Sequence, residues 1–145
     1  MRIRLLLVVL VVAASAVGVA AAASHAPRST VTARSSTYGR ILFDGRGFAL
    51  YAFTHDPRGR SVCRGACATA WPPYVVKGHP RAAVGVKSSL LGTTRRAGGR
   101  LQVTYAGRPL YYYTGDRKPG QVLCQNVRAF GGLWLVMRPN GRLVR

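Results

Sequence analysis

The feature that most constrains this chain is an internal echo. Leu50-Tyr51-Ala52-Phe53-Thr54-His55-Asp56 returns sixty residues later as Leu110-Tyr111-Tyr112-Tyr113-Thr114-Gly115-Asp116. Five of the seven positions keep their residue or their aromatic ring, so Leu-Tyr-x-aromatic-Thr-x-Asp occurs twice. Each copy then enters a turn, Pro57-Arg58-Gly59 in one and Pro119-Gly120 in the other. Each later reaches a lone tryptophan, Trp71 and Trp134. A unit this small cannot bury its apolar face alone, so two copies are expected to close one core.

The copies read as strands. Residues two apart on a strand share a face, which puts Tyr51 with Phe53 and Tyr111 with Tyr113. Filling a core is the expected role of these rings; a ligand-stacking platform is the alternative. Three hairpins are expected. Ile41–Phe43 and Phe48–Thr54 flank Asp44-Gly45-Arg46-Gly47, and Leu101–Tyr105 and Arg108–Thr114 flank Ala106-Gly107. Leu133–Met137 and Arg142–Val144 flank Pro139-Asn140-Gly141, where Asn140-Gly141 suits a type I′ turn. Asp56 and Asp116 end their strands, where a carboxylate commonly forms an Asx-turn. In so basic a chain each acid is also expected to find an arginine. No long segment has a helical period. The expected fold is a small all-β domain of two hairpin repeats, about 38–76 and 100–145. A short helix over Ser61–Ala70 is stopped by Pro72-Pro73.

The first 23 residues read as a signal peptide. Arg2 and Arg4 precede an uncharged stretch, Leu5 to Ala23, which ends in Ala21-Ala22-Ala23 and fits the A-x-A rule. The stretch is also long enough for an uncleaved membrane anchor. Residues 24–37, rich in Ser, Thr, Ala and Arg, read as a flexible leader, leaving 38–145 as the domain. The expected location is therefore secreted or at the cell envelope.

Charge narrows the partners. The chain carries 22 Lys+Arg against 3 Asp+Glu, a formal net charge of +19. Export removes nucleic acid from the expected partners and leaves anionic envelope polymers or lipid headgroups. The plainer reading is a solvated basic surface, since Arg outnumbers Lys 19 to 3, a bias GC-rich codons produce. The absence of Glu leaves Asp44, Asp56 and Asp116 as the only acids and argues against paired-carboxylate catalysis. There is no HExxH, Walker A, GxSxG or C-x-x-C-H.

These residues resemble a known family. The doubled Tyr-x-aromatic-x-x-Asp motif, with Cys63-Arg64-Gly65-Ala66-Cys67 leading to Trp71-Pro72-Pro73, is similar to that of bacterial secreted repeat proteins. Those are described as predicted lipoproteins with a Yx(F/W/Y)xxD motif. Gln102-Val103-Thr104-Tyr105, Gly107, Pro109-Leu110-Tyr111 and Gly131-Gly132-x-Trp134 look like the second repeat. The resemblance spans about Gly39 to Gly141 and implies an exported, repeat-built domain of uncharacterised role. The chain departs from the family in having no lipobox cysteine and in carrying Ala97-Gly98 where Asp-Gly is usual.

Three cysteines in an oxidising compartment imply one bridge and one remaining thiol. Spacing favours Cys63 with Cys67, although one helical face aims such a pair poorly; Cys124 is the alternative partner. A C-x₃-C pair with His55 or His79 also suits Cu(I), and thiol redox work is a further alternative. The leading expectation is a non-catalytic binding or structural module without cofactor. A copper-handling or thiol-redox protein using Cys63 and Cys67 is the second.

Overall fold

Ten strands and one short α-helix follow one another along the described residues, with a single 3-10 turn at Ser88–Leu90. They are β1 (Thr30–Ser36), β2 (Gly39–Asp44), β3 (Tyr51–Phe53), α1 (Ala66–Ala70), β4 (Val75–Val76), β5 (Arg81–Ala82), β6 (Leu91–Arg95), β7 (Leu101–Tyr105), β8 (Arg108–Tyr111), β9 (Val127–Ala129) and β10 (Gly132–Val136). This is a computed structural model, and it describes residues 30–145. The signal-peptide reading and the anchor alternative lie outside the described residues. The strands form two sheets, one of order β2-β1-β5 and one of order β4-β7-β8-β3-β10-β9 with β6 also on β7. The expected all-β domain with a short helix is what the chain forms.

The leader reading needs correction. Residues 30–36 are β1, paired antiparallel with β2 from Val31 opposite Asp44 to Ser36 opposite Gly39. Val31 and Ala33 are buried while Thr32 is half-buried and Arg34 exposed, the alternation of a half-buried strand. Polar Thr, Ser and Arg on the outer face hid that period. β6 pairs antiparallel with β7 in the same way, so each repeat begins with such a pair.

The two repeats meet in the middle of the larger sheet. β3 and β8 lie side by side, with Tyr51 opposite Tyr111. Each repeat's tryptophan segment then crosses to the other repeat's motif strand. β10 pairs with β3, placing Trp134 opposite Phe53, and Thr54 N–H donates to Leu133 O. On the other side Pro73 bridges Tyr111, and Thr114 N–H donates to Ala70 O. The copies are therefore interlocked rather than stacked as independent hairpins.

Turn chemistry explains the hairpins. Ala106-Gly107 has φ of 50° and 73°, as a two-residue type I′ turn requires. The Asn140-Gly141 expectation fails there, because only Gly141 has positive φ. Pro139 holds φ near −65°, which suits the first central position of a type I turn, and Gly141 supplies the bulge that follows. The expected Ile41–Phe43 hairpin is reduced to one bridge, Phe43 with Ala49, because β1 is the main partner of β2.

Candidate functional site

The doubled motif is packed into the interior. Tyr51, Phe53, Tyr111, Trp71 and Trp134 are buried, and Tyr113 is half-buried against them. Alternate positions of β3 and the residue before it face opposite ways: Tyr51 and Phe53 join Cys63, Cys67, Trp71, Trp134 and Cys124, while Leu50 and Ala52 join a second core with Tyr74 and Tyr105. Four rings form one column. Phe53 stacks on Trp134 at 4.3 Å, Trp134 on Trp71 at 4.4 Å, and Trp71 on Tyr113 at 5.4 Å. Phe53 and Tyr113 are equivalent residues of the two copies, and so are the tryptophans.

The carboxylates repeat this exchange. Tyr51 Oη donates to Asp116 Oδ2 at 2.7 Å, and Tyr111 Oη donates to Asp56 Oδ2 at 2.6 Å. The second oxygens close matching loops: Asp56 Oδ1 accepts Val62 N–H at 2.7 Å and Asp116 Oδ1 accepts Leu123 N–H at 2.9 Å. These reaches of six and seven residues replace the expected Asx-turns. The local Asx geometry belongs to Asp44, which takes Arg46 N–H and Phe48 N–H. Asp44 also accepts Tyr112 Oη at 3.0 Å, so every carboxylate side chain in the sequence is held by a phenol. Among the described residues only Asp44 has an arginine partner, Arg46 at 2.8 Å. Neither motif aspartate forms an ion pair, because both face the tyrosine-lined interior, although the charge of Arg96 acts on Asp56.

Burial dominates their titration. Desolvation raises the Asp56 and Asp116 carboxyls above the usual range, against the opposing pull of the phenol and backbone donors. It also raises Tyr51 and Tyr111 well above the ordinary phenol value, with the adjacent carboxylates adding to the shift.

Repeats of this kind identify the chain. A family model described as a secreted repeat of unknown function matches residues 32–74 and 92–138. The chain belongs to that family. No curated protein and no solved structure matches it. In this secreted repeat the first match begins within β1, and no helix of the described residues is long and apolar enough to cross a membrane.

The cysteines mark where the two halves of the secreted repeat differ. Cys63 and Cys67 are bonded, with Cα atoms 5.3 Å apart, and Cys124 is a buried free thiol. Cys63 lies before α1 rather than on it, which supplies the loop that a single helical face lacks. Trp71 Nε1 donates to Cys124 Sγ at 3.1 Å. Cys63 follows Val62 as Cys124 follows Leu123, but its sulfur is in the bridge. Trp134 Nε1 correspondingly has no hydrogen-bond partner among the described residues.

His55 is exposed beside the Phe53 ring and His79 is exposed after β4. Among the described residues no three His, Cys, Asp or Glu side chains stand together as a metal site would require. Sequence reasoning missed Ser61, Gln102 and Arg96. Arg96 donates to Ser61 Oγ, Gln102 Oε1 and Cys63 O, and Ser61 Oγ lies 2.7 Å from Tyr111 Oη. Only the polarity of Gln102 within an apolar β7 hinted at this network.

Proposed function

We propose that this secreted repeat is a non-catalytic extracytoplasmic module that binds an anionic polymer of the cell envelope through its basic surface. The observation that carries the reading is the fate of the carboxylates. All three are spent on interior phenols, and only one also pairs with an arginine. With the acids so occupied, the surplus of arginine and lysine leaves the surface a field of one sign. The motif side chains that could do chemistry are fastened to one another across the repeats, which suits a rigid scaffold. A polymer is favoured over a bilayer because α1 has five residues, too few for an amphipathic anchor.

Cosedimentation with isolated cell walls tests this. The expected result is retention at low salt that falls as salt rises. No retention at low salt, or retention only by phosphatidylglycerol vesicles, would overturn it.

A further inference from the structure

Three turns distant in sequence meet at one end of the sheet and surround a cavity with four arginines. Arg58 follows the Asp56 turn, Arg108 opens β8, and Arg142 and Arg145 come from the hairpin after β10 and the chain beyond it. With Gly141 they line a cavity of about 290 Å³. Its walls are fastened together. Gly59 N–H donates to Gly107 O at 2.7 Å, and Arg58 Nη1 donates to Ala106 O at 2.6 Å. A Cβ at Gly141 would stand 2.8 Å from that of Ala106, so that turn approaches as closely as glycine allows.

Among the described residues no carboxylate pairs with these guanidinium groups. Those of Arg108, Arg142 and Arg145 make no hydrogen bond or ion pair among the described residues. Burial lowers the pKa of Arg108, and the charges of Arg58 and Arg145 lower it further. The cavity lined by Ser61, Arg64, Arg96 and Arg100 differs, because Arg96 has already given its donors to Ser61, Gln102 and the Cys63 carbonyl. Guanidinium groups that line one cavity can offer fork geometry to an oxyanion, and several like charges together favour a ligand with more than one negative charge.

We infer that this cavity binds a multiply charged phosphate-type oxyanion, held by Arg58, Arg108 and Arg142 and closed by Arg145. The inference gives the anion-binding reading a specific site and rests on that reading for the source of the ligand.

Calorimetric titration of the exported protein with inorganic pyrophosphate at constant ionic strength tests it. One saturable site per chain is expected. Arg108→Gln and Arg142→Gln should each weaken it about tenfold or more, while Arg100→Gln, in the other cavity, leaves it unchanged. Arg108→Gln removes a like-charge contact, so the ligand-free variant should melt no lower than the parent. The rise in melting temperature that pyrophosphate gives the parent should shrink in that variant. Competition by poly(glycerol phosphate) would place the ligand on a polymer, and competition by phosphatidylglycerol vesicles on a headgroup; either supports the site. Absence of saturable binding, or equal weakening by Arg100→Gln, overturns it. Pyrophosphate binding without cell-wall retention keeps the site and removes the polymer reading. Cell-wall retention without a pyrophosphate site does the reverse.

Discussion

Trp71 and Trp134 lie face to face, their ring centroids 4.4 Å apart and their planes 6° from parallel. They come from different repeats, and each carries on its outer face a ring from the opposite copy. The column Phe53–Trp134–Trp71–Tyr113 therefore alternates between repeats at every contact. Neither copy can complete its core alone, which is the physical reason for a doubled motif in one chain.

The column should carry much of the stability. Phe53→Ala and Trp134→Ala are each expected to cost about 3–5 kcal/mol, because both side chains are buried and their removal leaves a cavity. That is a large share of the roughly 5–15 kcal/mol typical of a domain. Denaturant unfolding measures it. A loss below about 1 kcal/mol for either variant would show that the column relaxes around the gap.

Acid should not unfold the protein through its motif carboxyls. Burial raises Asp56 and Asp116 above their unfolded value of about 3.9, so the native state binds their protons more tightly. Such a group weakens the native state as pH rises through the window above the unfolded pKa, and the loss is recovered as pH falls. Unfolding free energy at fixed ionic strength should hold level or rise from about pH 6 to pH 4. A steady fall over that range would contradict the burial of these carboxyls.

Alkali acts with the opposite consequence. Tyr51, Tyr74, Tyr105, Tyr111 and Tyr112 are all raised, in each case chiefly by burial. Their contribution is complete below the unfolded phenol pKa of about 10 and is lost as pH climbs toward their folded values. Absorbance titration should show these phenols ionising together with loss of near-UV circular dichroism. Smooth ionisation near pH 10 in the folded protein would contradict their burial.

Burial pushes the Cys124 thiol up to about 11, despite the donor from Trp71. Iodoacetamide near neutral pH should therefore leave the folded protein unlabelled. Unfolding without reductant should label Cys124 alone, and reduction should add Cys63 and Cys67. Peptide mapping by mass spectrometry reads this out, and rapid labelling of folded Cys124 would contradict the packing against Trp71.

Periodicity and repetition made the strands and the buried ring face legible. Tyr51, Phe53 and Tyr111 are core residues because a strand places them so, and the echo marks both copies. Which copy each segment serves was not legible. Asp56 and Asp116 suit either tyrosine equally, so partner choice depends on chain path rather than residue type. β1 escaped because its two inward residues, Val31 and Ala33, are outnumbered by polar ones. The arginine cavity escaped because Arg58, Arg108 and Arg142 come from separate turns with no shared spacing.

The interlocking of the repeats is tested most directly by double-mutant cycles on the phenol–carboxylate pairs, read by denaturant unfolding. Tyr51→Phe with Asp116→Ala, and Tyr111→Phe with Asp56→Ala, should each show a coupling of about 0.5–3 kcal/mol, as expected for residues in contact. Tyr51→Phe with Asp56→Ala, and Tyr111→Phe with Asp116→Ala, should add within about 0.5 kcal/mol. Coupling within each repeat and additivity between repeats would contradict the exchange.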